Sequence, residues 1–461
     1  MSAYNVVGVT REVADNLRAI AALDTARSNQ AFMKIGDSIT AGGGASGALG
    51  CFAAAEKATI DLGGRSELGA TISYFDTVTM SGGRPDHPGT TTSWDRNSWS
   101  AVVSVDSFWP LKPDNDVGYD GATPIEKELS EMTAAPPRFA VYMLGSNDIG
   151  GSPGIHNGHA GDVLRDFAGK ALQAAEYLSA RGIVPVLTYI PPIPGRSAQS
   201  LWYSPAAGAV VRAIAVAKRL PTIDAYSELE GLAITASETF AKGTPNPAPA
   251  FWDDIHPAAS PKGECVFTAP NLQYGRNLRG LRTLEVLDKL RRVFAEGAVS
   301  IDPDPPRVEG QGTASAPIVI PSVPFAHASP TSGPEAGHLS DYTACGGESG
   351  LDGNETVFRL DVASEVSLRA LAVTGDCSEP TCAKAQHVSV ALFKNSLDAA
   401  NCVSAGFMVQ RKFSPGTYFL VLDSARSSQP KTGVLSVHRC MDPDQDCSKC
   451  PATDATCVTV P

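Results

Sequence analysis

Short apolar runs that end abruptly in glycine, acid and hydroxyl residues constrain this chain more than any other feature. One run, Phe32-Met33-Lys34-Ile35, leads into Gly36-Asp37-Ser38-Ile39-Thr40, and a second over 138–144 leads into Gly145-Ser146-Asn147-Asp148. Further strand candidates lie at 70–79, 183–190 and around 221–226. Helical patterns at 160–181, 206–219 and 278–295 separate or follow them, an amphipathic helix is expected at 10–23, and an Ala-rich helical stretch near 51–60. Strands alternating with long helices predict an α/β class with a mostly parallel sheet covered on both faces. Ligands of such sheets bind beyond the carboxyl ends of the strands, which puts Ser38 and Asn147 at the expected working edge.

A length of 461 residues exceeds one ordinary core and predicts at least two domains. The first spans 1–299, with a polar stretch rich in Gly, Pro, Asp and Trp at 81–117 read as an insertion over the sheet edge. Prolines crowd 300–335, which reads as a semi-rigid linker. Beyond it, 336–461 carries short β-like runs at 352–360, 365–373, 386–393, 416–422 and 433–438, expected to form a small disulfide-rich β-sandwich.

Eight of the ten cysteines fall between Cys345 and Cys457, an even, clustered set that points to disulfides and an oxidising compartment. Cys447 and Cys450 fit that framework better than a redox or zinc pair. Cys51 and Cys265 are the remaining two and form the one intramolecular bridge open to the first domain, tying the segment after Ser38 to a late one. The start of the chain lacks the apolar core of a signal peptide, so the expectation is a secreted protein whose signal has been removed and replaced by Met1. No stretch of about 18 apolar residues occurs, so no transmembrane segment is expected. The formal charge of -12 argues against nucleic acid as a partner.

Ser38 gains chemical meaning from its company. A serine hydroxyl attacks a carbonyl only when a base removes its proton, and that base needs a third group to fix its tautomer. His256 is the credible base late in the first domain. Asp253, three residues earlier, can reach the same side within one turn, and Asp254 is the competing orienter. Asp37 is read as supporting the turn that carries Ser38.

Gly36-Asp37-Ser38-Ile39, Gly145-Ser146-Asn147-Asp148 and Asp253-x-x-His256 resemble the signature blocks of the SGNH, or GDSL, esterase and lipase family, over roughly 28–295. The resemblance implies a three-layer, flavodoxin-like α/β/α fold and ester hydrolysis through an acyl-serine intermediate. It implies Ser38 as nucleophile, His256 as base and then acid, and Asp253 as its orienter. The implied oxyanion hole consists of the Ser38 N–H, a glycine N–H and the Asn147 side-chain amide. Gly121, just ahead of a helix-like segment at 124–129, fits the glycine place best, with Gly82 and Gly118 as rivals. No cofactor is implied. His156 and His159 could meet on one surface, but no third ligand accompanies them, so no metal is expected and the pair is read as a loop near the site mouth. Trp94, Trp99 and Trp109 in the insertion are candidates for an acyl pocket, beside a bland reading in which they pack the insertion down.

The expected function is a secreted carboxylic ester hydrolase acting on short-chain or carbohydrate-linked acyl esters. A lipase or phospholipase is the alternative within the enzyme class, and a non-catalytic extracellular binding protein on a hydrolase scaffold is the alternative outside it. The carboxyl-terminal region loosely resembles the pre-peptidase carboxyl-terminal domains of secreted bacterial hydrolases, which implies a stabilising role or contact with a cell surface, matrix, polysaccharide or lipid.

Overall fold

The computed structural model describes residues 8–41, 47–53, 59–80, 82–85, 92–150, 160–191, 198–224, 256–305, 307–330, 335–336, 342, 345–346, 351, 353–376, 388–424 and 432–439. Helix α1 (Arg11–Ala22) opens the described chain, capped by Thr10, whose hydroxyl accepts the Val13 N–H. Such a cap satisfies one of the donors that a helix start leaves open. Its buried stripe of Val13, Ala14, Leu17 and Ile20 follows helical spacing and delivers the chain to β1 (Ser28–Gly36).

Strands β1, β2 (Pro137–Met143), β3 (Val184–Thr188) and β4 (Thr222–Ile223) form a parallel sheet in that order. All seven residues of β2 are buried, as in a sheet covered on both faces. Helices α6 (Ala160–Ser179) and α7 (Ala198–Lys218) pack together and against β3. The Phe32–Phe139 pair faces Phe75 of α3 (Gly69–Phe75) and Phe294 of α8 (Gly275–Ala295), so a second helical layer covers the sheet there.

On the free side of β1, Gly36 pairs in parallel with Ala101, its N–H donating to the Ser100 carbonyl at 3.0 Å. Counting this segment as an edge strand, the order is the flavodoxin-like 2-1-3-4-5. The strand order therefore reverses between β1 and β2, which run parallel, and the cleft at their carboxyl ends is the place where such folds bind ligands. Ser38 and Asn147 leave the sheet at that place.

Three expectations change. The run 70–79 is helix α3 rather than a strand: Thr71, Ile72 and Phe75 are its buried residues, at one-turn spacing that a period-two reading mistakes for alternation. Within the insertion, Arg96 forms a fully buried ion pair with Glu128 of α4 (Pro124–Glu131). The Ser98 hydroxyl and the Trp99 N–H also donate to Glu128, both at 2.6 Å, while the Ser98 and Ser100 hydroxyls reach the Lys34 carbonyl. The Lys34 ammonium, pushed down to about 8 by burial, donates to the Trp94 carbonyl. The insertion is thus built into the sheet edge rather than laid over it. Finally, the residues read as linker contribute strands β5 (Ile318–Val319) and β6 (Phe325–Pro330).

The carboxyl-terminal region is β-rich. One sheet has the order β11-β10-β13-β8-β5, with β7 (Glu335–Ala336) also beside β8, and a second has the order β12-β9-β14-β6. Their strands are β8 (Asn354–Val362), β9 (Val366–Thr374), β10 (Val388–Lys394), β11 (Cys402–Gly406), β12 (Met408–Phe413), β13 (Gly416–Ser424) and β14 (Thr432–Arg439). An apolar core including Phe358, Leu392, Leu420 and Leu435 lies between the sheets, and Cys345 is bonded to Cys402. Strands β6, β9 and β14 pack on α7, and Leu371, Val373, Phe407 and Val434 belong to the same core as the parallel sheet. Gly375 is a close-approach position: a Cβ there would lie 2.9 Å from Ala217 of α7.

Candidate active site

The turn after β1 is shaped by its own sequence. Asp37 caps the short helix α2 (Ser38–Ala41): its carbonyl accepts the Thr40 and Ala41 N–H groups, and its Oδ1 accepts the Ile39 N–H at 2.9 Å. Gly36 is required because Thr40 packs on it; an added Cβ would lie 2.3 Å from Thr40 Oγ1. Asp37 is fully buried, and burial raises its carboxyl above the ordinary range, against the pull of the Ile39 N–H, Ser146, Arg279 and His256. It supports the turn and does not face solvent.

Ser38 is half-buried, and its Oγ stands 2.9 Å from His256 Nε2. The two residues are 218 positions apart in sequence, so this contact is a product of the fold. The geometry lets the serine hydroxyl donate to a neutral imidazole, the arrangement a base needs to take its proton. Asp253 and Asp254, the two sequence candidates for orienting that imidazole, lie outside the described residues, as do His156 and His159.

Asn147 stands in the first turn of α5 (Ser146–Gly150), directly beyond β2. Its Nδ2 donates to the Val105 carbonyl at 2.7 Å, and a primary amide has a second N–H to offer. Asp148 accepts both the N–H and the hydroxyl of Ser107. Burial pushes the Asp148 carboxyl up to about 6, with Ser107 opposing and nearby Asp106 adding to the rise. Asn147 and Asp148 therefore grip a single turn, 103–107, that follows the edge segment bonded to Gly36.

The three candidate glycines sit in different surroundings. Gly121 has a positive φ of 81°, but its N–H donates to the Asp114 carbonyl at 2.9 Å, inside a turn of its own. Gly82 packs against Glu131, and Gly118 against the Trp99 ring, each too tightly for a Cβ. The Gly121 N–H is thus taken up within its own turn. Sequence inspection missed the turn containing Ser104, whose φ of 64° is a conformation that a glycine ordinarily adopts.

Trp94 and Trp99 follow the bland reading, in which they pack the insertion down. Trp94 is 0% exposed and packs edge-on to Phe32 and Phe75, while its indole N–H donates to the Ile72 carbonyl. Trp99 is 8% exposed, stacks edge-on with Tyr119 and donates to the Gly82 carbonyl. Trp109 is half-buried, with its indole N–H on Asp114. Trp94 and Trp99 are structural anchors of the insertion and do not line an open pocket. Cys51 and Cys265 are disulfide-bonded, as expected. Among the described residues no group of three or more His, Cys, Asp or Glu could hold a metal ion, and no helix is long and apolar enough to cross a membrane.

Comparison with solved structures gives distant likenesses. An acetylxylan esterase from Geobacillus stearothermophilus is 16% identical, over 57% of this chain and 96% of its own, with a TM-score of 0.33. A GDSL-like lipase from Bacteroides thetaiotaomicron is 14% identical, over 60% of this chain and 98% of its own, with a TM-score of 0.31. A member of the lipolytic G-D-S-L family from Veillonella parvula is 16% identical, over 56% and 98% respectively, with a TM-score of 0.31. No curated protein matches. The family model described as GDSL-like Lipase/Acylhydrolase matches residues 33–263, a span that starts within β1 and ends beyond His256, and the chain belongs to that family, as a carboxylic ester hydrolase.

Proposed function

We propose that Ser38 is the nucleophile of this hydrolase and His256 its general base and acid, with Asp253 orienting the imidazole. The 2.9 Å approach of His256 Nε2 to Ser38 Oγ carries the reading. Ser38 attacks the ester carbonyl carbon as His256 takes its proton. The tetrahedral intermediate collapses, the alcohol leaves with that proton, and an acyl-serine remains. Water, deprotonated by His256, then attacks the acyl carbon, and Ser38 departs with the proton restored.

The oxyanion needs donors aimed at the charge that develops. The Ser38 N–H has no acceptor among the described residues, and Asn147 Nδ2 keeps one N–H beyond its bond to Val105. In place of Gly121, the third donor is assigned to the turn at Val103 and Ser104, whose N–H groups also lack an acceptor among the described residues. Gripped by Asn147 and Asp148, that turn is fixed before substrate arrives.

The substrate is read as a short-chain or carbohydrate-linked acyl ester, because the large aromatic side chains nearest in sequence to the site are spent on packing. A lipid ester is the second reading, favoured by Val103, which is 57% exposed at the turn beside Ser38. The protein is read as secreted, with the β-rich region, a loose match to pre-peptidase carboxyl-terminal domains, as the part that touches a surface, matrix, polysaccharide or lipid. Hydrolysis of p-nitrophenyl esters from acetate to palmitate, by the parent and Ser38→Ala side by side, tests the core of the proposal. The parent is expected to prefer acetate or butyrate, and folded Ser38→Ala to lose nearly all turnover. Equal turnover by both would remove Ser38 from the mechanism, and a palmitate optimum would turn the reading to a lipase.

A further inference from the structure

The start of α8 carries three polar side chains that point into the protein. Arg279 is 5% exposed, and its guanidinium donates to the Ile39 carbonyl through Nη1 at 2.6 Å and to Thr40 Oγ1 through Nη2 at 3.0 Å. Both acceptors belong to α2, the helix that begins at Ser38. Asn277, fully buried, donates to the Val266 carbonyl at 2.8 Å and to the Gly263 carbonyl at 3.3 Å. Arg276 donates through Nε to the Pro257 carbonyl and through its backbone N–H to the Ala258 carbonyl, both at 3.0 Å. Its Nη1 pairs with Glu264 at 2.6 Å. One face of a single turn thus holds the nucleophile turn, and its neighbours hold the segment that follows His256.

Packing does not account for this choice of residues. A buried guanidinium loses its hydration, and an apolar side chain of similar volume would fill the site at comparable or lower cost. A planar fork differs from an apolar chain in fixing two acceptors at once. A short helix leaves carbonyls open at its carboxyl end, and Arg279 supplies the donor for one of them. Asp37 clamps the same turn from its amino end through the Ile39, Thr40 and Ala41 N–H groups.

We propose that the first turn of α8 is the alignment device of the active site: Arg279 fixes the turn bearing Ser38, while Arg276 and Asn277 fix the loop bearing His256, so that one rigid helix sets the distance between nucleophile and base. The proposal rests on the reading of Ser38 and His256 given above. Arg279, Arg276 and Asn277 are positioning residues and touch no reacting atom. Misplacement of a reacting group by about 1 Å can cost about 100-fold in rate, which sets the effect expected from loosening either side.

Inactivation by a p-nitrophenyl alkylphosphonate tests this directly. Ser38 Oγ bonds to phosphorus, p-nitrophenolate leaves, and His256 takes the serine proton, so the maximal inactivation rate reports on alignment and the half-saturating concentration on binding. Folded Arg279→Met is expected to lose about 10- to 100-fold in the maximal rate, with half-saturation within about twofold of the parent. Arg279→Lys, which keeps the charge but not the fork, should fall between them. Thr40→Val keeps the volume while removing the Nη2 acceptor, and should slow inactivation at least about threefold; it decides the matter if Arg279→Met does not fold. Arg276→Met should also slow the reaction, and the double variant should be about as slow as the slower single, since both loosen one frame. Folded variants inactivated within about twofold of the parent would overturn the proposal, and fully multiplicative losses would overturn the common frame. Ser38→Ala, run alongside, separates the two readings: release of p-nitrophenolate by that variant at the parental rate would sink the nucleophile assignment instead.

Discussion

Adjacent residues in the second motif do different work. Asn147 is the one assigned to the oxyanion, whereas Asp148 holds the turn opposite it, and the second role leaves a thermodynamic signature. Burial raises the Asp148 carboxyl from its ordinary 3.8 to about 6. Between these values the folded protein keeps a proton that the unfolded chain has released. The stability this adds is fully present below 3.8 and is lost as pH rises through about 6. The side-chain amide introduced by Asp148→Asn cannot titrate, so the Tm of that variant relative to the parent is expected to improve between pH 4 and 7, checked by thermal melts across that range. A difference that stays flat or moves the other way would contradict the assignment. Ser38, Asn147 and His256 stood out as candidates because each is a chemically distinctive residue in a motif, two of them directly after apolar strands. The turn assigned to the oxyanion was not, because a positive φ at Ser104 is a property of the folded backbone that no residue type announces. Gly121 looked right by order along the chain, and only the hydrogen bond to Asp114 shows its N–H to be occupied.

At the scale of elements, the site depends on an edge segment that is not a regular strand. Residues 98–101 hold their place beside β1 through Glu128, which receives Arg96, the Ser98 hydroxyl and the Trp99 N–H in a fully buried setting. Removing one partner of a buried pair leaves the other charge uncompensated, at about 3–5 kcal/mol. Glu128→Ala is therefore expected to lower unfolding stability by about that amount in denaturant melts. A loss below about 1 kcal/mol would mean that the network is not what anchors the insertion. Composition alone gave this stretch as polar and loop-like, which it is, but the pairing of Arg96 with Glu128, 32 residues away, follows from the packing of α4. The long helices and β2 were readable because their apolar periods run for several turns or fill both faces. Strands β11 and β12 were not: Gly406 and the Cys345–Cys402 bridge interrupt the alternation that would mark them.

Across the whole molecule, α7 is the element shared by both halves. It is apolar around most of its circumference because it meets the parallel sheet on one side and strands β6, β9 and β14 on the other. A helix that is apolar all round needs cover all round. A chain ending at residue 299 should therefore expose the α7 surface that strands β6, β9 and β14 now cover. The expected outcome is aggregation on size-exclusion chromatography or a clearly lowered Tm; a monodisperse fragment with the parental Tm would show that the β-rich region is dispensable for folding. The sequence pointed to two compositions but could not show that they share a core, since α7 reads the same whether its second face meets a sheet or another helix. The bond between Cys51 and Cys265 acts at this scale too. Ser38 precedes the first of these cysteines and His256 the second, so any one backbone cut between Phe52 and Ile255 leaves both residues in the same covalent molecule. An enzyme released among proteases would then survive nicking as a two-chain species. Limited proteolysis should yield material that runs as one band without reductant, separates into two with it, and still hydrolyses esters until the thiols are freed.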